Sequence, residues 1–374
     1  LSRSIQEVDF IVLSPGISLK NTKYKEDLIK HQKKIIIDID LLYLSNIKFK
    51  SIVVTGSNGK STTCKIIAHL LKRKKLNVKI GGNIGTPILN LNIKKNNFVV
   101  IEASSFQLSH SKFINPDYAI LLNITNDHLD WHGSMKDYIN SKFKIFYLQN
   151  TKNFALINNK FKQSFKIRKF SSKLIPLKYE EYKRVKMNIN NTYLTSKTND
   201  ENMNFVYSLS KLLKISNKEF IKNMNTFVGL AHRYEIFLKK KNITFINDSK
   251  ATSFEACKSA LASSKNIYWI LGGLPKYKDK IDLKLIKNNI IKSYIIGTNI
   301  NYFSTQLKNK INFSVTRNLK RSIIRALSDI KSSEKIDSTI LLSPGAASFD
   351  QFKNFESRGN EFKRLCKFYA RKYI

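Results

Sequence analysis

The chain has few cysteines, few acids and no long apolar run. Its three cysteines, Cys64, Cys257 and Cys366, are far apart, odd in number and outside any C-x-x-C pair or Cys/His cluster. That excludes a disulfide-framed scaffold and a cysteine zinc site, and fits free thiols in a reducing cytosol. No apolar stretch approaches the ~18 residues of a membrane span. The opening LSRSIQEVDF lacks the apolar core of a signal peptide. It also lacks an initiator methionine, so the chain is expected to start inside a domain. Internal repeats and low-complexity tracts are absent too.

Acidic residues number 27 against 66 lysines and arginines, a formal charge of +39. Such a balance suggests nucleic acid or another anionic surface. Lysine greatly outnumbers arginine, however, and lysine, asparagine and isoleucine share A/T-rich codons. The charge is dispersed, without a basic arm or an RNP-like aromatic motif. Genome bias with a solvated surface accounts for it, and the field still favours anionic substrates. At 374 residues, 42% hydrophobic and 11% aromatic, the chain can bury several cores.

What is present begins with IVVTGSNGKSTT, Ile52 to Thr63. A β-branched run, a glycine turn, a lysine and hydroxyls precede a helical pattern. Gly56, Ser57, Asn58 and Gly59 form a loop whose N–H groups suit phosphate oxygens. Lys60 suits the β/γ-phosphates, and the Ser61 or Thr62 hydroxyl suits Mg²⁺. The generic Walker pattern needs glycine at position 54, which is Val54. The actual spacing, Gly56-x-x-Gly59-Lys60-Ser61, is shorter.

Around this loop the chain reads as α/β. Residues 1–45 give strands at Phe10–Leu13 and Ile35–Ile37, with a turn at Ser14-Pro15-Gly16. Residues 46–229 give strands at Phe98–Ile101, Ala119–Asn123 and Phe154–Ile157. Residues 160–200, rich in Lys and Asn, read as loops and short strands. Residues 230–374 give Thr244–Ile246, Ile267–Leu271, Ser293–Ile296 and Thr339–Leu342. Strands alternating with helices predict parallel sheets covered on both faces, with ligands beyond the carboxyl ends of the strands.

Polar clusters follow several of these strands. Glu102, in EASSFQ, is placed to ligate Mg²⁺ or to belong to a helix cap with Ser104 or Ser105. NITNDHLDWH, residues 123–132, holds two histidines and two aspartates for metal or proton work, or is a polar loop. Lys142 reads from its surroundings as a solvated helix lysine. Arg233, in GLAHRYE, suits phosphate or ribose, or a linker ion pair. Asp248 and Ser249 in NDSKAT are placed to cap a following helix, with Lys250 and Thr252 near its N-terminus. LGGLPK and LSPGAASFD repeat the strand-to-small-turn pattern.

In this order, TGSNGKST, GGNIG, EASSFQ, DHLDWHG, GLAHRYE, NDSKAT, LGGxxK and LSPGAASFDQFKNFESRGNEF resemble the Mur ligases, over nearly the whole chain from Ser14 onward. The early motifs are shared with folylpolyglutamate synthases. NDSKAT and SFDQFKNFESRG resemble the member that adds D-glutamate to UDP-N-acetylmuramoyl-L-alanine, and the DNPR-like motif of a diamino-acid ligase is absent.

The resemblance implies three domains: a truncated nucleotide-sugar domain (1–45), a central ATPase domain (46–229) and a C-terminal Rossmann-like domain (230–374). It implies ATP, two Mg²⁺ and an acyl-phosphate route to an amide in peptidoglycan precursor synthesis, by a cytoplasmic monomer without nucleic-acid partner. Lys60, Ser61 and Thr62 would hold phosphates and Mg²⁺. Glu102 and His128 would attend the metals, and Lys142 would be carbamylated to join them. Asn83, with Ser14, Pro15 and Gly16, would meet the nucleotide sugar. Asn204, Arg233 and Asp248 would meet adenosine. Lys250, Thr252, Lys276, Ser348 and Phe355 would hold D-glutamate. The chain departs from the family in lacking its first glycine-rich strand–turn, in reading DENMN for HNxxN, and in Pro275 and Tyr277. The rival readings are another Mur ligase or folylpolyglutamate synthase, a nucleic-acid-binding ATPase, and an inactive ATP-binding fragment.

Overall fold

The structure is a computed structural model. It describes residues 2–374 except 18, 20, 21, 277, 278, 285 and 334–336, and the side chains of 2–4 and 198 are also outside the description. The chain divides into two compact units, Leu1–Thr195 with Asn199–Phe227, and Val228–Ile374 with Ser196–Thr198.

In the first unit, β1 (Ile11–Val12) and β2 (Ile35–Ile36) make a small parallel pair. Ile17 N donates to Ser14 O, closing the turn at Ser14-Pro15-Gly16. The main sheet contains β3 (Lys50–Thr55), β4 (Val78–Gly82), β5 (Phe98–Glu102), β6 (Tyr118–Leu121), β7 (Phe154–Ile157) and β8 (Lys173–Ile175). Their order is β4-β5-β3-β6-β7-β8, all parallel. Alternate side chains of β3 enter opposite cores. Ile52 and Val54 pack with helices Lys60–Arg73 and Asp200–Leu212, whereas Val53 packs with Ile101, Leu121 and Phe143. This period of two buries both faces, and each Val, Leu or Ile so buried contributes roughly 1.5–3 kcal/mol.

From β3 the chain runs out to β4, returns through β5, then crosses to β6 on the other side of β3. The carboxyl end of β3 is therefore the switch point where such sheets bind ligands. The phosphate-loop motif occupies it.

The second unit carries β9 (Glu235–Lys240), β10 (Ile243–Asn247), β11 (Ile267–Gly272), β12 (Ile290–Ile296), β13 (Phe313–Arg317) and β14 (Ser338–Leu342). The order is β13-β12-β11-β14-β10-β9, with β9 antiparallel and the others parallel. Trp269 and Leu271 face one core, Tyr268 and Ile270 the other.

Two expectations need correction. Residues 160–200 are not only loops and short strands: besides β8 they contain helices Lys162–Ile167, Tyr179–Lys186 and Thr192–Thr195. The helix after NDSKAT starts at Phe254, capped by Ser253 Oγ accepting from Ala256 N. Asp248 and Ser249 therefore do not cap it, and Lys250 and Thr252 precede it.

Candidate active site

The loop has the glycine turn the sequence pattern requires, but against expectation the Ser57 and Asn58 N–H groups donate to Asn123 O and Oδ1, each at 2.8 Å, rather than facing outward as phosphate donors. Gly59 has φ +84°, and a Cβ there would lie 2.1 Å from Asn202 Oδ1, so only glycine fits. Helix Lys60–Arg73 follows at once, its backbone ladder beginning with Thr63 N donating to Gly59 O. Ser61 and Thr62 lie buried in its first turn. Lys60 Nζ folds back to donate to Gly56 O and Ser57 O, each at 2.8 Å.

Lys142 contradicts the bland reading of a solvated lysine. It lies on helix Met135–Phe143, is 1% exposed, and its Nζ donates to Gly56 O at 2.8 Å. Burial, with the Lys60 ammonium beside it, pushes its pKa well below the ordinary lysine value; Asp127 opposes this. One turn earlier, Tyr138 sets its ring 4.6 Å from that nitrogen and its hydroxyl 2.8 Å from Ser57 Oγ. Burial raises the Tyr138 hydroxyl to about 12. Tyr138 was not among the expected residues; its i, i+4 spacing from Lys142 was the available signal.

Glu102 ends β5 and is 2% exposed. Its Oε1 accepts from Asn83 Nδ2 at 3.0 Å, while its Oε2 is buried without a hydrogen-bond partner among the described residues. The alternative of a helix cap is satisfied by a neighbour: Ser104 caps helix Ser105–His110 in a capping box with Gln107. Gly82, at φ +94°, lets the chain pass Glu102 O, which a Cβ would approach to 2.4 Å.

The NDHLDWH histidines separate in role. His132 is buried, with Nε2 3.0 Å from Ser105 Oγ. His128 is partly exposed, in left-handed backbone, with Nε2 3.3 Å from Asp127 Oδ2 and its ring against Phe106. Among the described residues no three His, Cys, Asp or Glu side chains form a preassembled metal cluster. Asn204, on helix Asp200–Leu212, is 5% exposed, and its Oδ1 has no partner among the described residues.

The second unit gathers another set at strand ends. Asp248 Oδ2 accepts from Ser343 Oγ at 2.7 Å and Oδ1 from Tyr234 N at 3.1 Å. Burial raises its pKa to about 7, with those hydrogen bonds and Arg233 acting the other way. Lys250 N donates to His232 O, and Lys250 Nζ sits 4.7 Å from the Phe355 ring centroid. The LGGL and SPGAAS turns interlock through Leu274 N to Ala347 O and Ala347 N to Leu274 O, both 2.9 Å, beside buried Ser348. Thr252 is partly buried and Lys276 exposed. Tyr277 lies outside the described residues.

Arg358 was also unexpected. It is 1% exposed and donates to Ser249 Oγ (3.0 Å), Ser249 O (2.8 Å), Ala346 O (3.1 Å) and Gly272 O (3.5 Å). One guanidinium thereby ties NDSKAT to the LGGL and SPGAAS turns. Burial lowers its pKa to about 10.

A strand, a shortened glycine loop and a helix at the switch point of a parallel sheet define a phosphate-loop α/β protein. A Mur ligase middle domain matches residues 54–224. Curated relatives carry the name UDP-N-acetylmuramoylalanine--D-glutamate ligase. The Rickettsia prowazekii protein is 36% identical over 97% of this chain and 85% of its own length. The Wolbachia protein from Brugia malayi is 35% identical over 96% and 84%. Among solved structures, a MurF ligase from Thermotoga maritima in complex with ADP superposes with a TM-score of 0.64 at 15% identity, covering 99% of both chains. A UDP-N-acetylmuramate-alanine ligase, MurC, from the same organism gives 0.59 at 17%, covering 97% of this chain and 86% of its own. The chain belongs to the Mur ligase family.

Proposed function

We propose that this chain joins D-glutamate to UDP-N-acetylmuramoyl-L-alanine, using ATP, in peptidoglycan precursor synthesis. The observation that carries this reading is the near full-length identity, 36% over 97% of the chain, to a relative named for that reaction. The geometry of the phosphate loop supports it. The overall reaction transfers the γ-phosphoryl group to the L-alanine carboxylate; the D-glutamate amine displaces phosphate from the acyl phosphate, giving amide, ADP and phosphate.

In this reading Lys60 and the first turn of its helix, with Ser61 and Thr62, hold the triphosphate, and Lys60 balances charge on the transferring group. Asn204, Arg233 and Asp248 hold adenosine. Asn83, with Ser14-Pro15-Gly16, meets the nucleotide sugar. Lys250, Thr252, Lys276, Ser348 and Phe355 orient D-glutamate.

The reading includes two Mg²⁺, and the Glu102 carboxylate is the observation that supports one of them. Glu102 Oε2, without a hydrogen-bond partner among the described residues, is a hard oxygen donor beside a phosphate site, and Mg²⁺ commonly takes one or two carboxylates plus phosphates and water. Glu102 and Ser61 would hold one ion; His128 and Lys142, carbamylated, would attend the second. A bound metal would neutralise phosphate charge. The Lys142 amine, held toward its neutral form, suits carbamylation, because only a neutral amine attacks carbon dioxide. The protein is read as a cytoplasmic monomer without nucleic-acid partner; no helix of the described residues is long and apolar enough to cross a membrane.

The test is phosphate release with UDP-N-acetylmuramoyl-L-alanine, ATP and a panel of amino acids. D-glutamate should be required. Turnover with L-lysine, diaminopimelate or L-glutamate instead would replace this reading with another ligase, and nucleic-acid-stimulated ATP hydrolysis would replace it with a different class.

A further inference from the structure

Glu201 stands in the DENMN segment, one of the places where the chain departs from its family's pattern. It lies at the start of helix Asp200–Leu212. Its Oε2 accepts from Asn123 Nδ2 at 3.0 Å and its Oε1 from Asn158 Nδ2 at 2.7 Å. Asn123, just past β6, is fully engaged. Its Oδ1 accepts from Asn58 N at 2.8 Å, its second Nδ2 hydrogen reaches Asn58 O at 3.2 Å, and its own carbonyl accepts from Ser57 N at 2.8 Å. One amide thus clasps both sides of residue 58 in the phosphate loop.

A carboxylate is an acceptor only. Turned over, the Asn123 amide would set its oxygen against Glu201 and against Asn58 O, and its NH₂ against Asn58 N–H. Glu201 therefore reinforces the one orientation that fits the loop, and ties the Asn123 amide to helix Asp200–Leu212. Ser57 N–H and Asn58 N–H are both committed to Asn123, so the loop's phosphate-binding face is its glycine turn and helix start.

We propose that Glu201 is a positioning residue for the phosphate loop: through Asn123 it fixes the Asn58 peptide and so sets nucleotide affinity. This rests on the reading that the loop binds nucleotide phosphates. Asn158 completes the arrangement by fixing the other carboxylate oxygen.

The experiment measures ADP–magnesium binding to the full chain by calorimetry, with KM for ATP and for D-glutamate from phosphate release. Loss of one oriented hydrogen bond corresponds to about five- to tenfold in affinity. Glu201→Ala should weaken ADP by about that factor and raise KM for ATP in parallel, with KM for D-glutamate unchanged. Asn123→Asp opposes two carboxylates and should weaken ADP more; combining it with Glu201→Gln restores a donor–acceptor pair of reversed sense and should recover several-fold. Binding within about twofold of wild type for Glu201→Ala, or an Asn123→Asp defect that Glu201→Gln does not relieve, would overturn the inference. Should Glu201→Ala not fold, the isosteric Asn123→Asp and paired variants decide it alone. A wild-type chain that binds no ADP would instead overturn the functional reading, and this inference with it.

Discussion

Lys60 Nζ and Lys142 Nζ both donate to the carbonyl oxygen of Gly56, each at 2.8 Å. One nitrogen comes from the helix after the loop and the other from a buried position across the sheet. Burial first, and then the neighbouring Lys60 ammonium on the same carbonyl, lowers the Lys142 pKa well below the ordinary lysine value. The arrangement makes Lys142 a weak cation and a good amine, the state that carbamylation needs.

Lys142→Met should abolish amide formation while leaving thermal stability unchanged or raised. The variant removes a buried amine held away from its preferred charge, and Gly56 O keeps its bond from Lys60. Short carboxylates should restore part of the activity of Lys142→Ala. Phosphate release and a thermal melt read both effects; full activity in either variant would remove the carbamate.

Glu102→Gln should leave magnesium-free ADP binding near wild type and remove the strengthening that the proposed magnesium site would give. The amide keeps an acceptor for Asn83 but loses the charged oxygen that has no protein partner among the described residues. Calorimetry with and without the metal distinguishes this from a general loss of the site.

The pH dependence of stability should carry a contribution from Asp248. Its pKa rises from 3.8 to about 7 on folding, so the folded chain holds this proton more tightly than the unfolded chain between those values. Stability from this group therefore falls as pH rises through that window and levels off above it. Asp248→Asn should remove this decline, measured as urea midpoints between pH 4 and 8. An unchanged profile would contradict the burial of the carboxyl.

Arg358→Lys should destabilise the chain by about 2–4 kcal/mol, because one ammonium cannot serve acceptors spread over Ser249, Ala346 and Gly272. Urea unfolding of the full chain measures it; a change below about 1 kcal/mol would contradict the tie.

Local pattern made the phosphate loop and the buried strands legible. Ile52–Thr63 holds strand, turn and helix in sequence, and Phe154–Ile157 is an apolar run bounded by polar residues, matching β7. β9 and β13 escaped because they carry exposed positions and charged ends, Lys239-Lys240 and Arg317, which dilute the apolar signal of edge strands. β4 ends in Gly81-Gly82 and reads as a turn. Lys142 was invisible to composition because helix lysines are ordinarily solvated; only the resemblance singled it out. Glu201 and Arg358 act through long-range contacts that residue spacing does not encode; Tyr138 shows only its i, i+4 spacing from Lys142.

The central claim is that ATP activates a carboxylate for attack by D-glutamate. Its most direct test uses UDP-N-acetylmuramoyl-L-alanine labelled with oxygen-18 in the alanine carboxylate, with ATP and D-glutamate. Mass spectrometry of the released phosphate should find the label there, in step with amide formed. Unlabelled phosphate, or phosphate released without D-glutamate entering the product, would contradict the account.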